Sequence, residues 1–138
     1  MTDMHRDFAD TPLSDLPIER HGIILRRVDG QTYTNVPHLV VHHSPTGYEW
    51  GYGGSGPADL ALNILEWHLF REHHLGETLA CYEGRCFQAA WNMHQHFKRD
   101  IIAACDRDDV HIPLDTVKNW IARHRMTAEP IPWPKPAP

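Results

Sequence analysis

Along this chain the alternation of apolar and polar positions changes period once, from strand-like to helix-like. Ile23, Ile24 and Leu25 lead through Arg26 and Arg27 to Val28, and the Asp29-Gly30 pair that follows favours a tight hairpin turn, since both residues tolerate positive φ. Gln31 to Val36 is then the returning strand. Leu39, Val40 and Val41 form a further β-rich run, Ser44-Pro45-Thr46-Gly47 reads as a turn, and Tyr48 to Tyr52 alternates aromatic with polar or small residues at period 2. Together these segments predict a small antiparallel sheet of three to four strands.

Beyond Gly56-Pro57 the period lengthens. Leu60, Ala61, Ile64, Leu65 and His68 recur on one helical face, and proline suits the first turn because its missing N–H would be unpaired there in any case. That helix is expected to end near Gly76. Phe87, Ala90, Trp91, His94, Phe97, Ile101 and Cys105 mark a longer amphipathic helix, Val110 to Ile112 an edge strand, and Leu114, Val117, Trp120, Ile121 and His124 a last helix. Strands first and helices afterwards predict the α+β class, with about three helices packed on the small sheet. Residues 21–127 form the single domain. Residues 1–20, which hold neither period, read as a flexible N-terminal arm or an irregular packing segment, and 128–138 as an extended proline-rich tail.

Composition narrows the function classes. The chain has 138 residues, enough for one core, and 13 Lys+Arg against 18 Asp+Glu give a net charge of −5. That balance shows no basic footprint and argues against a nucleic-acid partner. No stretch approaches the ~20 apolar residues of a membrane span, and no basic segment followed by an apolar one opens the chain. The three cysteines are too sparse for a disulfide framework, so a reducing cytoplasm is the expected location.

The segment from His42 to Leu65 is the most specified. Gly51, Gly53, Gly54, Ser55 and Gly56 are all small, more than a strand-to-helix turn requires. Two explanations compete: another molecule lies against this backbone, or the chain packs there too tightly for side chains. On the first, amides at the helix start would face an anion, and Asp59 in the first turn would compete with it. The candidate ligand- or partner-binding residues are therefore Tyr48, Trp50, Tyr52, Gly53, Gly54, Ser55, Gly56 and Asp59.

Twelve histidines prompt a search for metal. His68, His73, His74, Cys81 and Cys86 are the candidates, with His94 and His96 nearby. Their spacings match no common zinc pattern, and histidines at the surface or core edge are the plainer reading. Cys86, at the start of the second long helix, sits better for a thiolate than Cys105 near its end, and small buried hydrophobes are the commoner role of either. His42, His43 and Glu49 would form an acid–base group only if their strand ends converge. No catalytic set and no cofactor emerges, and the balance leans away from an enzyme.

The string GYEWGYGGSGPADLALNIL, with HQHFKRDII and DTVKNWIARH downstream, resembles an uncharacterised family of small proteins of phages, plasmids and bacterial chromosomes, catalogued only as a domain of unknown function. The resemblance runs from His43 to His124 and centres on WGYGGSGPA. The link Phe70 to Cys86 is longer than the family's usual one. A mobile-element origin is what the resemblance implies; it carries no reaction. The expectation is a non-enzymatic binding protein that modulates host defence by binding a host protein or a small anionic ligand in the host cytoplasm. The alternatives are a small enzyme or binding protein for a phosphorylated or nucleotide ligand at the glycine-rich loop, and a zinc-supported structural domain.

Overall fold

Asp29 and Gly30 both take positive φ, 51° and 79°, and turn strand β1 (Ile23–Val28) back into β2 (Gln31–Thr34), with Val28 opposite Gln31 and Leu25 opposite Thr34. Both angles belong to a computed structural model of the chain, which describes residues 12–44 and 47–125. Helix α1 (Ile18–His21) precedes this hairpin. After it come helix α2 (Ser55–Arg71), a second hairpin of β3 (Thr78–Ala80) and β4 (Arg85–Phe87), helix α3 (Gln88–Phe97) running into a π-helical turn (Lys98–Ile102), strand β5 (Asp109–Ile112) and helix α4 (Leu114–His124). The class is α+β. The main sheet has the order β2-β1-β5, all antiparallel, and β3–β4 is a separate two-stranded sheet.

Alternation along β1 decides how the layers stack. Ile23 and Leu25 face the main core with α2, α3 and α4, while Ile24 faces the other way onto Leu13 and Leu16. Residues 12–20 therefore pack on the sheet. Leu13, Leu16 and Ile18 are buried, and Asn35 holds the segment down by donating to the Leu16 and Gly22 carbonyls at 3.1 and 2.8 Å while accepting from the Ile24 N–H at 2.9 Å. Residues 1–11 of the expected arm and the whole of the 128–138 tail lie outside the described residues.

Helix α2 is the centre of the domain. Every residue from Gly56 to Glu66 is buried, so the helix is enclosed on all sides rather than along one stripe. Its polar residues Asp59, Asn63 and Glu66 recur at helical spacing and share one face. Each binds backbone from outside the helix. Asp59 accepts from the His43 and Ser44 N–H groups at 2.9 and 2.8 Å and from His42 at 3.2 Å. Asn63 accepts from Leu39 and Val40 at 2.7 and 2.9 Å and returns a bond to the Val40 carbonyl, and Glu66 accepts from the Phe87 N–H at 2.8 Å.

This arrangement accounts for two expected strands that do not form. Leu39 to Val41 is extended but lies against α2, the Leu39 and Val40 amides taken by the Asn63 side chain, and its ladder contact among the described residues is an isolated bridge between Val41 and Glu83. Tyr48 and Trp50 are buried with Glu49 half-buried between them, but Tyr52 is exposed and the backbone has no partner strand among the described residues. The Tyr48 carbonyl accepts from the Thr32 hydroxyl and the Gly51 N–H donates to Ile102. The sheet takes its third strand instead from β5, which is an edge strand as expected. Helix α2 stops at Arg71, short of Gly76, because His73 follows in the left-handed region at φ 58°. The β3–β4 hairpin then fills the stretch between the long helices.

Removing the Asp59 carboxylate strands three backbone donors. Asp59→Ala is expected to cost about 3 kcal/mol or more in urea unfolding, and Asp59→Asn less, because a carboxamide oxygen keeps part of the acceptor capacity. An Asp59→Ala variant with an unchanged midpoint would show that water replaces the carboxylate.

Candidate functional site

The fold leaves a predominantly polar cleft of about 690 Å³ between the β1–β2 turn and the start of α2, lined by Gln31, Thr32, Tyr48, Glu49, Tyr52 and Ser55 among others. Its floor is the first turn of α2. The N-cap residue is Gly54, no side chain caps the helix, and no acidic residue stands in its first turn. Amides at a helix start point outward along the axis with partial positive charge. Asp59, expected to compete for that charge, is 1% exposed and occupied by residues 42–44. The one carboxylate in the cleft, Glu49, is countered by Arg27, which donates to it at 2.5 Å, to Asp108 at 2.7 Å, and lies 4.4 Å over the Trp50 ring.

The expected binding residues separate into two groups. Trp50, 1% exposed, is core, its indole N–H donating to the Arg107 carbonyl at 2.8 Å. Tyr48 is buried too: its hydroxyl donates to the Pro37 carbonyl at 2.7 Å, its ring stacks on His38, and burial pushes its pKa upward. Gly51, at φ 89°, has no room for a side chain, since a Cβ would sit 3.0 Å from the Cys105 carbonyl oxygen; one at Gly56 would sit 2.9 Å from the Glu49 Cβ. Gly54 lies under the Tyr52 ring, whereas Gly53 meets nothing within 4 Å. Tyr52, Gly53 and Ser55 remain exposed, and Tyr52 and Ser55 line the cleft.

A histidine cluster is assembled beside α3 by the 42–44 segment. His43 Nε2 and His94 Nε2 are 2.9 Å apart, and the His94 Nδ1–H donates to the Trp91 carbonyl at 2.6 Å. A carbonyl only accepts, so in neutral His94 the Nε2 is the acceptor and His43 donates its Nε2–H. Ring centroids 5.1 Å apart place the two imidazoles end to end. Their lone-pair axes oppose each other, and the gap is too short for an ion bonded to both nitrogens at about 2.0–2.1 Å each. Glu49 points away to Arg27, so the acid–base group of His42, His43 and Glu49 does not come together.

The metal candidates also stay apart. His68 bonds Glu72 at 2.9 Å at the end of α2, His73 follows that helix, His74 packs edge-on against Phe87, and Cys81 and Cys86 belong to the β3–β4 hairpin. Among the described residues no three His, Cys, Asp or Glu side chains converge as a metal site. Of the two helix-end thiols weighed from sequence, burial holds Cys105 above the usual range, and Cys86 is raised as well, by its pairing with Cys81 and by burial. Sequence reasoning missed the polar face of α2 and the His43–His94 contact. The i, i+4, i+7 spacing of Asp59, Asn63 and Glu66 was the available signal for the first.

Residues 18–83 match the model of a family of unknown function (DUF6166). The match starts earlier than His43 and stops within the β3–β4 hairpin, so α3, β5 and α4 fall outside it. No curated protein and no solved structure matches the chain. No helix among the described residues is long and apolar enough to cross a membrane.

Burial sets opposing pH dependences. It lowers His94 to about 3, against the Trp91 carbonyl and with the charges of His43 and Lys98, and it lowers His42, His43 and His68. Unfolded histidine takes a proton below about pH 6.5, so this stability is present above that pH and lost as pH falls toward the folded values, by up to about 1.4 kcal/mol per unit for each histidine held neutral. Glu66 has the opposite sign. Burial raises it to about 7 despite the Phe87 N–H, so its share is complete below its unfolded value and lost as pH rises through about 7. Urea unfolding should therefore show stability falling from pH 6.5 to 4, less steeply in His94→Gln. Glu66→Gln should gain on the order of 2 kcal/mol above neutral pH. A flat acid limb would contradict the buried neutral histidines.

Proposed function

We propose that the chain is a non-enzymatic binding domain for a small anionic ligand of the phosphate-bearing class, held in the cleft at the start of α2. The observation that carries this reading is a long helix whose uncapped N-terminus opens on a polar cleft. Its only nearby acidic residue on the same helix, Asp59, is already spent on backbone amides. A phosphate there would accept from the Ser55 and Gly56 amides with favourable dipole energy, since Pro57 has no N–H and Ala58 donates to the Gly54 carbonyl, and Gln31, Thr32 and Ser55 offer polar side chains around it. The reading is a binder rather than a catalyst because the cleft gathers no nucleophile with a base and an orienting group. His43 and His94, the nearest approach to such a pair, are bonded to each other. In a mobile-element setting, the role would be to withdraw a small phosphorylated molecule of the host.

Thermal-shift and calorimetric titrations with inorganic phosphate and nucleoside mono-, di- and triphosphates test the proposal. A ligand at 100 times its dissociation constant adds about 2.7 kcal/mol of stability. Ser55→Asp is the decisive variant, because a carboxylate at the helix start favours the fold and repels an anion. The expected result is a shift in the native chain that Ser55→Asp abolishes while keeping or raising the ligand-free melting temperature. No shift with any phosphate compound, or an equal shift in Ser55→Asp, overturns the assignment.

A further inference from the structure

Strand β2 is an outer strand of the main sheet, and its sequence, Gln31-Thr32-Tyr33-Thr34, has no charge and no proline to keep another strand from pairing with it. Register fixes which of its groups face outward. The Arg27 N–H donates to the Asp108 carbonyl at 2.7 Å, whereas the Ile24 N–H donates to Asn35 Oδ1 at 2.9 Å. Backbone groups of Leu25 and Arg27 thus turn toward β5, and those of Arg26 and Val28 toward β2, where they meet Tyr33 and Gln31. The N–H and C=O groups of Thr32 and Thr34 are left pointing out of the sheet, and no hydrogen bond among the described residues takes them.

Those groups open into a groove of about 690 Å³ that straddles the strand. Leu13 and Tyr33 line it from one face of the sheet, Val36 and Tyr48 from the other. Its surface is mainly apolar, and no Asp, Glu, Lys or Arg is among its lining residues. The guest that fits is an uncharged, extended backbone offering hydrogen bonds at every second residue, since strand addition is read through main-chain groups at that period.

The end of the sequence has that chemistry. Residues 129–138 read EPIPWPKPAP, with Pro130, Pro132 and Pro134 alternating with Ile131 and Trp133. Successive strand residues direct their N–H groups to opposite edges, so proline at every second position leaves one edge with all its donors and the other with none. Such a strand can close a sheet and cannot be extended further. Between Glu129 and Lys135 the run carries no charge, which matches the groove. Arg125 lies 3.3 Å from Glu72, whose neighbour Arg71 is 3.9 Å from Glu19, in the segment that begins with Pro12 in the groove wall. Trp133 is eight residues beyond Arg125, a reach of up to ~26 Å at ~3.3 Å per residue.

We propose that the 130–134 run of the same molecule docks in this groove as an added edge strand, Ile131 and Trp133 exchanging N–H···O bonds with Thr32 and Thr34. The proline edge then faces solvent and ends the sheet.

Amide hydrogen exchange of the full-length chain, followed residue by residue by NMR, tests the docking. Thr32 and Thr34 are expected to exchange about tenfold or more slowly than unprotected amides. Ile131→Pro keeps an apolar, extended residue and removes only its N–H, and Trp133→Ala removes the ring; both should return Thr32 and Thr34 toward unprotected rates while the Leu25 amide in β1 stays protected. Pro132→Ala adds an N–H on the far edge and should change neither threonine. Unprotected Thr32 and Thr34 in the native chain, equal protection in Ile131→Pro and Trp133→Ala, or the same loss in Pro132→Ala as in Ile131→Pro would each overturn the added strand. A mass of two chains by light scattering that falls to one in Ile131→Pro would overturn docking within one molecule.

Discussion

A helix enclosed on every side from Gly56 to Glu66 has nowhere to put a polar residue except against another polar group, and that stretch carries three. Asp59, Asn63 and Glu66 meet that requirement by accepting backbone N–H groups that no strand takes, from the 39–44 segment and from Phe87 at the end of the paired strand β4. An unpaired buried amide costs about 1–3 kcal/mol, so these side chains do for residues 39, 40, 42–44 and 87 what a neighbouring strand would otherwise do. The path of the chain around the helix follows from this. With Asp59 holding His42 to Ser44, the segment arrives at the mouth of the cleft, and the carboxylate that would have neutralised the helix start is turned elsewhere.

The sheet contributes two further fasteners. Asn35 ties the N-terminal segment and the end of α1 to β1, so Leu13 and Leu16 cover a sheet face that the long helices do not reach. Arg27 on the opposite end of β1 binds Glu49 and Asp108 and lies on Trp50, which fixes the segment before α2 against the strand. Its exposure keeps the value of each ion pair small, but several contacts on one guanidinium define a position better than any single pair would. Glu49 is thereby held at the rim of the cleft with its charge compensated.

The hairpin β1–β2, the edge strand β5 and the three long helices were legible because each has a local cause: positive-φ turn residues, periodicity or a proline in a first turn. What was not legible depends on contacts across the chain. Leu39-Val40-Val41 has strand composition and strand extension, and nothing in its own residues says that its partner is a carboxamide on a helix. Tyr48 and Trp50 alternate correctly in burial, yet aromatic residues beside a glycine loop read equally well as a ligand frame or as core, and the burial of Trp50 decides for core. The β3–β4 hairpin is three residues a side, too short for a period of 2 to stand out.

The glycine loop divides along the line that separates crowding from open space. Gly51 and Gly56 are demanded by the fold, since a methyl group at either would press on the Cys105 carbonyl or on Glu49, and Gly54 is covered by a ring that can swing aside. Gly53 is different: it has open space around it and no left-handed angle to require a missing side chain, so packing supplies no reason for it. Ser55 likewise is exposed, at the first position of the helix, where a larger polar residue would also face solvent. If packing alone had shaped this loop, the small residues would coincide with the crowded positions; instead the two that are free of crowding stand at or beside the uncapped helix start, where an anion would need access.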